Sequence, residues 1–154
     1  MKNSSKNVGN SKELNIPQMI QFNEDSISIF IRYFVKCNDY TDLITYLMQI
    51  MNQFVVKKRT QNLGTFVKLI IDFDSINMSS IDFEFVKTLI NYLDTNYDEV
   101  LANIYCINVS FFFKMVYKIL KPVLTKKVKE KIIFIKKGQT KELRNLTDAD
   151  FDDL

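Results

Sequence analysis

An α/β fold with a mixed, mostly parallel sheet is predicted by three observations. Short apolar runs of strand length alternate with segments whose apolar residues recur every three or four positions. Several runs are continuous rather than alternating, as strands of a parallel sheet are. The segments between them have crossover length, which implies parallel neighbours joined by right-handed connections. At 154 residues, 47% of them hydrophobic, the chain is long enough to bury one core.

The elements follow in order. Residues 1–20 begin with the polar run MKNSSKNVGNSKELN and read as a flexible arm. The folded domain is placed at 21–147 and an acidic tail at 148–154. Ile27–Phe34 (ISIFIRYF), rich in β-branched and aromatic residues, reads as the first strand. Asn38–Thr41 offers N-cap candidates for a helix whose stripe is Leu43, Leu47, Ile50 and Phe54, widened by Ile44, Met48, Met51 and Val55. Lys57, Lys58 and Arg59 suit its C-terminal dipole, and Asn62 with Gly64 makes the turn. Phe66–Asp72 (FVKLIID) reads as a strand buried on both faces. Ser79 or Ser80 caps the next helix, which ends near Asn96 and carries Val86, Leu89, Ile90 and Leu93 on one side. Ile104–Ile107 is a strand, and Ser110–Lys121 a helix broken at Lys121-Pro122. A lysine-rich link leads to the last strand, Ile132–Ile135, and a short helix is expected over Thr140–Leu146.

Composition excludes several functions. The chain has no histidine, so His-based catalysis and His metal sites are out. Its three glycines, at positions 9, 64 and 138, build no phosphate-binding loop, and there is no nucleophile elbow. Asp72 and Asp74 are paired carboxylates at a strand end, where a structural role is expected. No catalytic residue, no metal site and no enzymatic activity are therefore expected. Cys37 and Cys106 fit no metal or redox spacing, and Cys106, in an apolar strand, reads as a buried thiol of a reducing compartment. No apolar run reaches the roughly 18 residues of a membrane span, and the start lacks a signal-type apolar region. The expected place is the cytoplasm, with transient, peripheral membrane contact. Richness in Lys, Asn, Ile, Phe and Tyr fits an AT-rich genome, such as that of a large DNA virus or a parasite.

A net charge of +3 argues against a nucleic-acid partner, but lysines crowd between positions 114 and 141. They form either a solvated face or a membrane-facing set, Lys114, Lys118, Lys121, Lys126 and Lys127, drawn to anionic lipid at roughly 1 kcal/mol each. Phe111, Phe112 and Phe113 point about 100° apart on a helix, so one face cannot bury all three. With Met115, Val116, Ile119 and Leu120 they are either core or the cover of a cavity, a partner or a bilayer.

The stretches FVKLIIDFDSINMSS, NYDEVLANIYCIN and FKMVYKILKPVLTKKVKEKIIFI carry Asp72, Tyr97, Glu99, Asn108, Lys121, Pro122, Leu124, Lys131 and Ile132 in order. In that order they resemble the CRAL-TRIO lipid-binding domain, over about Phe66 to Leu146 with a weaker extension to Ile27. The resemblance implies a CRAL-TRIO-like sheet as the floor of a lipid pocket. It also implies an aromatic gate helix of Phe111, Phe112, Phe113, Met115, Val116, Ile119 and Leu120. From the phosphatidylinositol-transfer branch it implies Glu99 and Lys131 as headgroup ligands. The implied function is non-enzymatic binding and intermembrane transfer, or sensing, of an amphipathic lipid. A phospholipid such as phosphatidylinositol or phosphatidylcholine is expected, with no cofactor beyond the bound phospholipid or other hydrophobic ligand. There are departures. Asp98 stands for the turn's usual Pro, Val67 and Leu69 for phosphate-contacting hydroxyls, and Val128 for a Thr. The family's N-terminal helical subdomain has no counterpart, so the chain reads as a reduced form. The missing subdomain and phosphate contacts favour an alternative, a protein-interaction or homodimerisation module of the same fold that has lost lipid binding, whereas the intact aromatic segment favours the lipid carrier, which is the function expected.

Overall fold

Two apolar rows cross the sheet and organise the fold. One runs Ile20, Ile29, Ile71, Cys106, Phe134; the other runs Phe22, Ile27, Leu69, Ile104, Ile132. All of these are buried except Phe22, at the edge. The chain is described here from a computed structural model covering residues 15–34, 36–76, 79, 81–109 and 113–136. The sheet has five strands in sequence order: β1 (Ile20–Phe22), β2 (Ser26–Phe30), β3 (Val67–Asp72), β4 (Leu101–Val109) and β5 (Ile132–Lys136). β1 is antiparallel to β2, and the other pairs are parallel. Each parallel step moves one strand over, so right-handed connections put the intervening helices on one face.

These helices are α2 (Thr41–Gln61), α3 (Phe83–Tyr97), α4 (Phe113–Leu120) and α5 (Lys126–Lys131). α2 buries Leu43, Leu47, Ile50, Met51 and Phe54, and α3 buries Phe85, Leu89, Ile90 and Leu93. Fully burying such a side chain contributes about 1.5–3 kcal/mol, which makes this face the principal source of stability. α2 stops where Asn62 enters the left-handed region at φ 52° and its N–H closes on the Lys58 carbonyl. α3 is capped by Asp82, whose Oδ1 accepts from the Phe85 N–H at 3.2 Å. The same carboxylate accepts from Tyr40 Oη at 3.1 Å, and the Tyr40 ring stacks on Phe85. The helix cap is thereby fastened to the start of α2.

The alternating architecture and the mostly parallel sheet stand as predicted. Several boundaries do not. The last residues assigned to the arm fold as α1 (Ile16–Met19) and the first residue of β1, Ile20, with Met19 and Ile20 buried against the sheet. A short antiparallel edge strand leaves too brief a pattern to read. The first strand ends at Phe30, because Ile31–Tyr33 tightens into a 3-10 turn. The cap of α3 is Asp82 rather than Ser79 or Ser80. The lysine-rich link contains α5, capped by Thr125. β3 is covered on one face, while on the other Lys68 is exposed and Ile70 half-buried. The helix expected over Thr140–Leu146 and the acidic tail lie outside the described residues. Among the described residues, no helix is long and apolar enough to cross a membrane.

Candidate functional site

An apolar cavity of about 50 Å³ lies between the sheet and the helices α3 and α4. The sheet contributes Ile29, Leu69, Ile71, Ile104, Cys106, Ile132 and Phe134 as its floor. Val86, Leu89, Ile90 and Leu93 of α3 form a wall, and Tyr117 and Leu120 of α4, with Leu124, close it. Beyond the carboxyl ends of β2 and β3 it is bounded by Ile31, Phe34, Phe73, Ile81 and Phe83. No polar atom contributes to its surface. Tyr117 is held edge-on to Phe134, ring centroids 5.2 Å apart. Burial pushes the Cys106 thiol well above its ordinary range, so it behaves as a small apolar group rather than a nucleophile.

α4 divides its side chains between two surfaces. Leu120 is buried on the cavity. Met115 and Ile119, expected in the gate, point outward instead, 57% and 42% exposed, and Val123 beyond them is 40% exposed. The reason is helical phase: positions 115 and 119 lie one turn apart on the side opposite 117 and 120. Phe111 and Phe112 lie outside the described residues, and so do the side chains of Phe113 and Val116. Of the basic set, Lys118, Lys126 and Lys127 are exposed and Lys114 and Lys121 are half-buried. Lys118 shares the outer surface with Met115 and Ile119, whereas Lys126 faces Glu130 at 4.0 Å.

Both ends of the α4 segment are anchored by polar groups. At the front, Asn108, the last residue but one of β4, sits in the left-handed region at φ 55°. Its Nδ2 donates to Asp72 Oδ1 at 2.9 Å, and the Asp74 N–H donates to the same oxygen at 2.9 Å. Asp72 is buried, and its other oxygen faces Arg32 at 3.7 Å. Arg32 lies against the rings of Phe30 and Tyr33, 5.1 and 4.8 Å from their centroids. At the rear, Thr125 Oγ1 donates to Asp94 Oδ2 at 3.2 Å, and Lys127 and Lys131 both pair with Asp98. Hydrogen bonds from Lys127 and then Lys131 hold the Asp98 carboxyl below its usual range.

The expected headgroup pair is not assembled. Glu99 and Lys131 lie at the amino ends of adjacent strands but turn to different partners. Glu99 takes Arg59 at 3.0 Å and Lys58 at 3.7 Å, the basic end of α2. Lys131 takes Asp98, the residue that stands where the family's turn has Pro. Neither lines the cavity. A carboxylate one position earlier captured the ammonium, and a helix terminus captured Glu99.

Sequence reasoning missed Tyr117 and the lysine partners of Asp98, and it named Asp72 and Asn108 without joining them to each other or to Arg32 in a cluster. Tyr117 was legible, because it falls on the same stripe as Leu120 and Leu124 at helical spacing. The cluster was not, because it joins residues from three strand ends.

The family profile described as CRAL/TRIO domain matches residues 15–151. Among 21 matching chains of solved structures is the crystal structure of Sfh5, 17% identical with a TM-score of 0.47. The match covers 76% of this chain and 46% of that one, so the chain spans less than half the length of that protein. No curated protein matches.

Proposed function

The chain belongs to the CRAL/TRIO domain family, and from that membership we propose that it binds an amphipathic lipid between the sheet and α4 and carries it between membranes. The observation that carries this reading is the cavity beneath Tyr117 and Leu120, walled by apolar groups alone. A cavity of about 50 Å³ is smaller than the roughly 150 Å³ that takes up benzene, so loading requires α4 to move away from the sheet. The two surfaces of α4 suit that motion. Tyr117 and Leu120 cover the cavity in water, while Met115 and Ile119 with Lys118 meet a bilayer and its anionic surface. The reading is of binding and transfer without catalysis, in the cytoplasm, with transient membrane contact. The phosphatidylinositol-type headgroup pair is not part of it, because Glu99 and Lys131 are engaged elsewhere.

The test is mass spectrometry of lipid extracted from the purified chain, with its oligomeric state measured in parallel. A one-to-one copurified lipid on a monomer is the expected result. An empty, monodisperse dimer that takes up no lipid from vesicles would overturn the reading in favour of an interaction module.

A further inference from the structure

We propose that the acidic stretch at residues 148–154 folds back onto the outward side of α4 and masks it until an anionic bilayer takes its place. The proposal rests on the membrane contact in the reading above and adds its regulation. Three observations carry it. First, the outward side of α4 joins apolar and basic groups with nothing described on top of them. Met115 and Ile119 are exposed, Lys118 is exposed on the same side, and Val123 continues the apolar surface. Second, the stretch complements that side in both respects. DADFDDL carries Asp148, Asp150, Asp152 and Asp153 together with Phe151 and Leu154. Over residues 114–137, by contrast, lysines are crowded and Glu130 is the only acid. Lys127 and Lys131 are held by Asp98, but Lys118 and Lys129 are exposed and, among the described residues, pair with no carboxylate. Third, the chain is placed to make the contact. The Tyr117 ring lies 5.2 Å from that of Phe134, so α4 sits over β5, and the chain continues from the end of β5 at Lys136. Residues 137–147 then lead to the stretch, and at roughly 3.3–3.6 Å each they reach about 36–40 Å. That is ample to pass a helix of about 10–12 Å diameter. A tethered partner acts at an effective concentration on the order of millimolar, so a few salt-screened ion pairs and two apolar contacts suffice to hold it. A surface dense in anionic lipid competes for the same lysines and the same apolar side chains.

The experiment uses the full chain in two measurements. A zero-length carbodiimide joins carboxylates to the amines they touch, and mass spectrometry of the digest locates the joins. Joins from Asp148, Asp150, Asp152 or Asp153 to Lys118 or Lys129 are expected at low salt, with a yield that does not change on dilution. Absence of such joins overturns the proposal. A yield that falls with dilution also overturns it, because the stretch is then meeting a second copy. Co-sedimentation with phosphatidylcholine vesicles that contain phosphatidylserine is the other measurement. Phe151→Ser leaves the net charge as it is, and Asp150→Asn with Asp152→Asn removes two carboxylates. Each variant should bind the vesicles about fivefold more tightly than the parent chain, the change that one lysine makes at an anionic surface, with the unfolding temperature unchanged. Unchanged or weaker binding by Phe151→Ser overturns the masking and leaves the lipid-carrier reading standing. Joins in place with no vesicle binding by any chain, the parent included, would overturn the membrane contact of that reading and leave the fold-back as a contact.

Discussion

Filling the cavity should stabilise the protein and impair its loading at once. Val86 projects from α3 into the cavity wall. Val86→Leu adds one methylene, and burying it is worth about 0.8 kcal/mol. The void sets the ceiling. At roughly 24 cal/mol per Å³, a cavity of about 50 Å³ forfeits about 1.2 kcal/mol of packing. The expected gain is therefore about 0.5–1 kcal/mol, which for a domain of this length is a rise in Tm of about 1–4 °C. Leucine is also the better helix former, by a few tenths of a kcal/mol. Val56→Leu supplies the correction, because Val56 lies on α2 at 63% exposure and gains propensity alone. Thermal unfolding of both variants, with lipid uptake from vesicles on the same samples, makes the measurement. Val86→Leu should exceed Val56→Leu in Tm and fall below it in uptake. A lower Tm for Val86→Leu than for the parent chain would mean that the cavity is already tightly filled, and the argument for a loading site would fail with it.

Three other outcomes are expected. Asp72→Ala strands the Asn108 amide and the Asp74 N–H and should cost about 2–3 kcal/mol by urea denaturation; Asp72→Asn keeps one acceptor and should cost less. A smaller loss for alanine than for asparagine would contradict this. The Asp98 carboxyl titrates below its ordinary value of 3.8 in the fold, so its contribution is present above that pH and is lost as pH falls through the folded value. The Tm difference between the parent and Asp98→Asn should therefore be constant near neutrality and shrink in acid below about pH 4, more weakly in high salt; a difference that grows in acid would refute the assignment. Met115→Gln with Ile119→Gln should leave Tm nearly unchanged and weaken vesicle binding about tenfold or more, at about 1.5 kcal/mol for each apolar side chain withheld from the bilayer. Unchanged co-sedimentation with vesicles would remove that surface from the membrane contact.

The fold was legible because the sheet writes itself into local pattern. FVKLIID and the apolar part of β4 are strands by composition alone, and the stripes of α2 and α3 repeat at helical spacing over several turns. β1 escaped because three residues carry no period, and α5 because KKVKEK buries a single side chain, Val128. For the site, the division between floor and cover was legible in outline, but the direction of individual side chains was not. Met115 and Ile119 are as apolar as Leu120, and only the rotation of α4 on the sheet sends two outward and one inward. Charge partners were the least legible of all. Lys131 has Asp98 and Glu99 equally near in sequence, and the choice depends on where the end of α2 arrives in space.

That choice shapes the rest of the molecule. With Asp98 holding Lys127 and Lys131, α5 is fastened to the turn that precedes β4. With Asn108 held on Asp72, the other end of the same segment is fastened to the carboxyl edge of β3. Thr125, held on Asp94, adds a tie to α3. The polar bonds described above lie at residues 108 and 125–131, and Tyr117 and Leu120 line the apolar cavity. Apolar contacts are non-directional and tolerate sliding, whereas a hydrogen-bonded carboxylate does not. Were α4 to move as the lipid-carrier reading requires, the bonds at residues 108 and 125–131 would hold the ends of the segment on the sheet. Rebuilding Glu99–Lys131 as a headgroup pair would release Asp98 and loosen the attachment of α5, because Lys131 is the residue that Asp98 holds.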